Sequence, residues 1–170
     1  MKLAAILLDL GDVIMQEETE CKDGERNTLR AELVDGIGDV LRVLKSRGYK
    51  VGLVADTRHK TAWNVLHQHN LYDLFDAFAI SEEVGCEKPD ARIFRAALDK
   101  LNIAPLDCSR VVMVGNNIAR DIRGANDLGL ISIWFHWNER YAWANDSSTP
   151  KHLVHSAQEL LALIDRLEKV

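Results

Sequence analysis

Four short stretches of the chain carry side chains that could act on a phosphate or a cation. Asp9, Gly11 and Asp12 follow the apolar run LAAILL, and Ala55, Asp56 and Thr57 close the run KVGLVA. Lys88 lies in GCEKPD, a little beyond Ser81, and Asn116, Asn117 and Asp121 follow RVVMVG. Together they offer carboxylates, amides, a hydroxyl and one lysine. Carboxylate oxygens suit a hard cation such as Mg2+, and a lysine ammonium neutralises a phosphate, so the set fits an anion-plus-metal site. No stretch does this alone. The fold must bring them to one place.

The elements between them are suited to that. LAAILL (3–8), KVGLVA (50–55), AFAI (77–80), RVVMVG (110–115) and LISIWF (130–135) read as buried strands, each near strand length and bounded by Gly, Asp or a polar loop. Amphipathic segments alternate with them. Residues 37–48 put Ile37, Val40, Leu41 and Leu44 on one face, with Gly48 as a natural stop. Residues 59–71, 90–101 and 117–128 behave alike, the second opened by Pro89 and Asp90. HLVH and the following segment read as an edge strand and a closing helix, with Ser156 as N-cap and Glu159 in the capping-box position. This alternation predicts a Rossmann-like α/β/α sandwich on a mainly parallel sheet. In such a sheet, ligands bind beyond the carboxyl ends of the strands where strand order reverses. The residues just after each run therefore converge on one edge.

At 170 residues, 47% hydrophobic and 28% charged, the chain reads as a single α/β domain spanning 1–170. A net charge of −5, with no basic run interleaved with aromatics, argues against a nucleic-acid partner. Cys21, Cys86 and Cys108 are scattered and form no CxxC pair, which suits a reducing compartment. The N-terminal apolar run is broken by Asp9, so neither a signal peptide nor a membrane span is expected, and the default location is cytoplasmic. Two stretches stand outside the alternation. Residues 15–30 are polar and acidic without an apolar period, and residues 136–150 hold two tryptophans and a tyrosine in a loop-like context. Long loops in small domains tend to carry function.

The order LLDLGDVI, VGLVADT, CEKPD and VVMVGNNIARDIRGANDLGL resembles the haloacid dehalogenase-like (HAD) hydrolases over about residues 3–135. Its most specific part is the spacing of Gly115, Asp121, Gly124, Ala125 and Gly129. The resemblance implies Asp9 as the nucleophile that forms an aspartyl-phosphate. It implies a Mg2+ held by Asp9, the carbonyl of Gly11, Asn116 and Asp121, with Lys88 steadying Asp9 and the phosphate. Gly11, Asp12, Ala55, Asp56, Thr57 and Lys88 would line the substrate. Thr57 also reads as a plain N-cap for the helix at 59–71, and Asn116 and Asn117 read equally well as turn or cap residues.

Three positions depart from the family pattern. Gly11 stands where phosphatases of the family usually carry a second aspartate, a general acid and base. Ala55 replaces a hydroxyl that hydrogen-bonds phosphate, and Asn116 replaces an acid. General acid–base help is worth roughly 10²–10⁴-fold, so a slow phosphatase is expected, with Asp12 or Asp56 as stand-ins. About 25 residues separate Asp12 from the helix at Ile37, too few for a helical cap domain. A capless site suits a large phosphorylated substrate or closure by a second copy in a homo-oligomer. Two alternatives share the fold: a catalytically silent binding or scaffold protein, and a carbon–halogen hydrolase.

Overall fold

The computed structural model describes residues 2–141 and 146–169, and in it the apolar runs become parallel strands. In chain order come β1 (Ala5–Leu8), a hairpin of β2 (Cys21–Lys22) and β3 (Thr28–Arg30), α1 (Ile37–Ser46), β4 (Val51–Ala55), α2 (His59–Gln68), β5 (Ala77–Ile80), α3 (Ser81–Val84) and α4 (Ala91–Lys100). Then follow β6 (Val111–Gly115), a π-helical turn (Ile118–Ile122) that runs into α5 (Arg123–Asp127), β7 (Ile131–Phe135), β8 (His152–Val154) and α6 (Ala157–Glu168).

The main sheet has the order β5-β4-β1-β6-β7-β8, and every pairing in it is parallel. Burial on both faces explains why these strands are continuous apolar runs rather than alternating ones: every residue of β1, β4, β6 and β7 is buried. The strand pleat then sorts the side chains between two layers. Ile6, Leu8, Leu53, Val112 and Ile133 pack with α1, α2 and α6 on one side. Leu7, Val54, Met113 and Val111 pack with α4 and α5 on the other. The α/β/α sandwich expected from the sequence is therefore the observed architecture. Strand order reverses at β1, which lies between β4 and β6, and this places the residues following β1, β4 and β6 side by side.

Local chemistry fixes the helix ends. Asp90 caps α4, accepting from the Arg92 N–H at 2.9 Å. Ser156 caps α6 by accepting from Glu159 N–H at 3.2 Å, and the Glu159 carboxylate returns to the His155 N–H at 2.7 Å. After α1 the chain closes on Gly48 (φ +80°), whose N–H donates to the Lys45 carbonyl.

Several boundaries differ from the sequence expectation. The segment 117–128 is not one helix: the π-helical turn precedes α5 and re-aims Asp121 toward the end of β6. Residues 15–30 contain the β2–β3 hairpin, which their lack of apolar period conceals because β2 is exposed on both sides. The hairpin is fastened to α2 by polar bonds: Thr28 N–H donates to Thr61 Oγ1 (2.9 Å) and Asn64 Nδ2 to the Thr28 carbonyl (2.8 Å). Between Asp12 and α1 this hairpin and one short 3-10 turn stand where a cap domain would be inserted, so the chain carries no cap there. Trp143 lies outside the described residues.

Gly124 marks a tight contact between α5 and α4, which share one layer. A Cβ built there would stand 2.3 Å from Phe94 Cε2 and 3.2 Å from the Pro89 carbonyl. Because Phe94 is fully buried, its ring has little room to give. Gly124→Ala is expected to lower stability by about 1–3 kcal/mol, the usual cost of overpacking. Urea denaturation checks this, with an unchanged midpoint counting against it.

Candidate active site

The carboxyl ends of β1, β4 and β6 open onto a cleft of about 850 Å³. Asp9 leaves the end of β1 with its N–H on the Val114 carbonyl (3.0 Å), so its side chain projects past the sheet edge. Lys88 comes from the loop before α4, and its ammonium is buried, with only 2% of the side chain exposed. That ammonium lies 2.6 Å from Asp9 Oδ1, 2.7 Å from Asp121 Oδ1 and 3.0 Å from the Val54 carbonyl. Asp121 is fully buried, and its other oxygen accepts from Asn117 N–H at 2.9 Å. Gly115 makes this possible, since a Cβ there would meet Asp121 Cβ at 2.2 Å.

One ammonium therefore serves two carboxylates, the fully buried Asp121 and the partly buried Asp9. Burial would lower the Lys88 pKa, but the charges of Asp121, Asp9 and Asp56 raise it, so the ammonium stays protonated. Burial pushes Asp9 upward, to about 7, and the charge of Asp121 adds to this while Lys88 opposes it. The cluster keeps a net negative charge when both acids are ionised, and it lies in a region of low dielectric where that charge is costly.

Around this centre the remaining residues separate by role. Asp56 accepts the Lys88 backbone N–H (2.9 Å) with one oxygen and pairs with Arg120 (3.1 Å) through the other. Gly11, Ala55, Thr57, Asn116 and Asn117 also line the cleft. Asn117 caps the π-helical turn by accepting from Arg120 N–H (3.2 Å). Asn116 is buried, and its Nδ2 finds no hydrogen-bond partner among the described residues. Thr57 does not cap α2: the helix begins after Arg58 without a side-chain cap, and Glu82 Oε2 accepts the His59 N–H instead. His67 and His69 face away from the cleft chemistry, His67 stacking on Tyr72 and His69 contacting the Ala31 carbonyl at 2.7 Å.

Asp12 takes a different place from the one its sequence position suggests. It adopts a left-handed conformation (φ +48°) and is fully buried. One carboxylate oxygen accepts the Glu17 backbone N–H (3.0 Å) and the other pairs with Arg140 Nε (2.6 Å). It is not among the residues lining the cleft, whereas Glu17 and Tyr141 are. Tyr141 Oη donates to Glu17 Oε2 at 3.0 Å, and burial raises the Glu17 pKa against that hydrogen bond. Glu17, Arg140 and Tyr141 lie in the two stretches that stand outside the strand–helix alternation, but nothing in the sequence singles out these residues or Arg120. Glu17 reaches the cleft through a turn, and Tyr141 meets it across 124 positions of chain.

Removing the shared cation isolates its effect. Lys88→Met is expected to destabilise the protein by about 3–5 kcal/mol at pH 7, because the buried Asp121 and the partly buried Asp9 lose their shared counter-charge. Protonation relieves that repulsion, so the gap from the native protein should narrow as pH falls from 7 towards 5. Denaturant midpoints across that range are the check, and a gap that widens on acidification would contradict it.

Known proteins resemble this chain in sequence and in fold. A family model for haloacid dehalogenase-like hydrolases matches residues 3–129. A glyceraldehyde 3-phosphate phosphatase of Pyrococcus furiosus is 31% identical over 136 residues, covering 80% of this chain and 55% of that protein. A pyrimidine 5'-nucleotidase of Escherichia coli is 34% identical over 115 residues, covering 68% of this chain and 49% of that one. The chain thus spans about half the length of the curated relatives it matches. Among solved structures, a HAD phosphatase from Thermococcus onnurineus has a TM-score of 0.77 at 18% identity, covering 95% of this chain and 98% of that one. At that identity the likeness concerns the fold.

Proposed function

The chain belongs to the haloacid dehalogenase-like hydrolases, and from that premise we propose that it hydrolyses phosphate monoesters through an aspartyl-phosphate on Asp9. The observation that carries the reading is the position of Asp9. Its carboxylate stands at the switch point of a parallel sheet, 2.6 Å from a buried ammonium that also holds Asp121. A carboxylate can approach a phosphate dianion only where fixed cations offset their repulsion. Lys88 supplies one positive charge and is already shared by two acids.

A divalent cation would supply the rest. The donors present are hard oxygens: the carboxylates of Asp9 and Asp121, the carbonyl of Gly11 and the side-chain amide oxygen of the buried Asn116. Mg2+ is commonly held by one or two carboxylates with waters and substrate phosphate completing its shell, so two suffice. Bound there, it would polarise the phosphoryl oxygens and neutralise charge. Asp9 then supplies the attacking oxygen, Lys88 orients that carboxylate, and Asp56 holds the Lys88 backbone in place while Arg120 balances its charge.

With no cap above the cleft, the substrate pocket is open, which favours phosphorylated substrates of more than one size. A cytoplasmic setting accompanies this reading, since Cys21, Cys86 and Cys108 are free thiols. No helix among the described residues is long and apolar enough to cross a membrane.

Phosphate release from an aryl or acyl phosphate is expected to be stimulated by Mg2+ and to fall to background in Asp9→Asn. Turnover of the native chain no greater than that of the Asp9→Asn control would overturn the proposal. Release of chloride from a 2-haloacid without added metal would point instead to carbon–halogen hydrolysis.

A further inference from the structure

Cleavage of a phosphate monoester leaves an alkoxide or phenoxide that must be protonated unless it is a very good leaving group. Hydrolysis of the aspartyl-phosphate then requires a water to lose its proton. The cleft must therefore hold a group that can give and take one proton, and most of its acids are already engaged. Asp9 and Asp121 share Lys88, and Asp56 is held by Arg120 and the Lys88 N–H. Glu20 accepts from Thr28 Oγ1 (2.6 Å) and pairs with Lys22 (2.7 Å), Glu82 caps α2 through His59 N–H, and Glu87 pairs with Arg120. Asp12 is sealed off the cleft by Glu17 N–H and Arg140.

Glu17 remains, and its placement is specific. A Cβ built on Gly11 would stand 2.1 Å from Glu17 Oε1 and 3.0 Å from Glu17 Cδ. The carboxylate thus fills the space that any side chain at position 11 would enter, two residues along the chain from Asp9. Three contacts hold it there. Asp12 fixes its backbone N–H (3.0 Å), Arg140 fixes Asp12 (2.6 Å), and Tyr141 Oη fixes Glu17 Oε2 (3.0 Å), leaving Oε1 turned to Gly11. Arg140 Nε approaches the same Oε2 only to 3.8 Å.

We propose that Glu17 is the general acid and base of this site, delivered over Gly11 by the turn that Asp12 organises. The inference rests on the phosphohydrolase reading of Asp9. In the first half-reaction an Asp9 oxygen forms a bond to phosphorus as the ester P–O bond breaks. The departing oxygen keeps the bonding pair and takes the proton of the Glu17 carboxyl. In the second, Glu17 as carboxylate takes a proton from water as the water oxygen bonds to phosphorus. The Asp9–phosphorus bond breaks, and inorganic phosphate, the Asp9 carboxylate and protonated Glu17 are restored. Gly11 is what gives this carboxylate room.

Glu17→Gln keeps the shape of the side chain and removes the proton transfer. Comparing it with the native chain on an alkyl phosphate and on 4-nitrophenyl phosphate tests the assignment. Turnover of the alkyl ester should fall by about 10²-fold or more, the usual scale of general acid–base help. On 4-nitrophenyl phosphate, whose leaving group needs no proton, the variant should release a burst of nitrophenolate approaching one equivalent, then turn over slowly. A second pair of variants guards against misfolding. Glu17→Ala should be inactive on the alkyl ester, and Gly11→Asp combined with Glu17→Ala should recover part of the loss. Unchanged turnover in Glu17→Gln, or an equal loss on both esters without a burst, would overturn the role of Glu17 while leaving Asp9 as nucleophile. Absence of any Asp9-dependent turnover in the native chain would overturn both.

Discussion

The site depends on a single buried ammonium. Lys88 binds the carboxylate after β1, the carbonyl of Val54 in β4 and the carboxylate of Asp121 after β6, so one charge ties three strand ends together. Burying ions in this way is costly unless each finds a partner of opposite sign and good geometry. Here the partners outnumber the cation, and the imbalance has a direction. It favours anything positive that enters the cleft and resists a bare anion. A site built so is incomplete by its own electrostatics, and the arrangement of oxygen donors beside it follows from that.

A second constraint acts through the backbone. The left-handed turn at Asp12 sends the chain back on itself, with Asp12 N–H on the Met15 carbonyl and Ile14 N–H on the Leu10 carbonyl. Its buried carboxylate then works as a strut between the start of the 3-10 turn at Glu17 and the guanidinium of Arg140. The indole of Trp137 reaches the Asp12 carbonyl at 2.7 Å and closes the same corner. Residues from the loop after β7 thereby determine the geometry beside β1. Arg140 pairs with Asp12, Tyr141 with Glu17, and neither pair is local in sequence.

The architecture is legible in the sequence because burial of continuous apolar runs dominates the folding of this chain, and each run maps to a parallel strand. Asp9 is legible for a related reason, since it directly follows β1, whereas Lys88, beyond α3, and Asp121, in the turn after β6, are read from the resemblance. Asp12 and Thr57 escape that rule, because proximity in sequence to the right strand says nothing of where a side chain turns. Asp12 points back into the protein, and Thr57 contributes its carbonyl, which accepts from Ser81 Oγ at 3.2 Å, rather than a cap. Glu17 is hidden in an acidic stretch whose exposed hairpin has no periodicity to read. The π-helical turn at Ile118–Ile122 is equally silent, because one extra residue in a helical turn leaves the apolar pattern nearly intact.

The hairpin β2–β3 has a bearing on how a substrate comes and goes. Besides the bonds from Thr28 to α2, Ala31 N–H donates to Gln68 Oε1 at 3.1 Å and His69 Nε2 contacts the Ala31 carbonyl. The wall beside the cleft is therefore bolted along the length of α2 to the body of the protein. A wall fastened in this way can shift only by breaking those bonds or by carrying α2 with it.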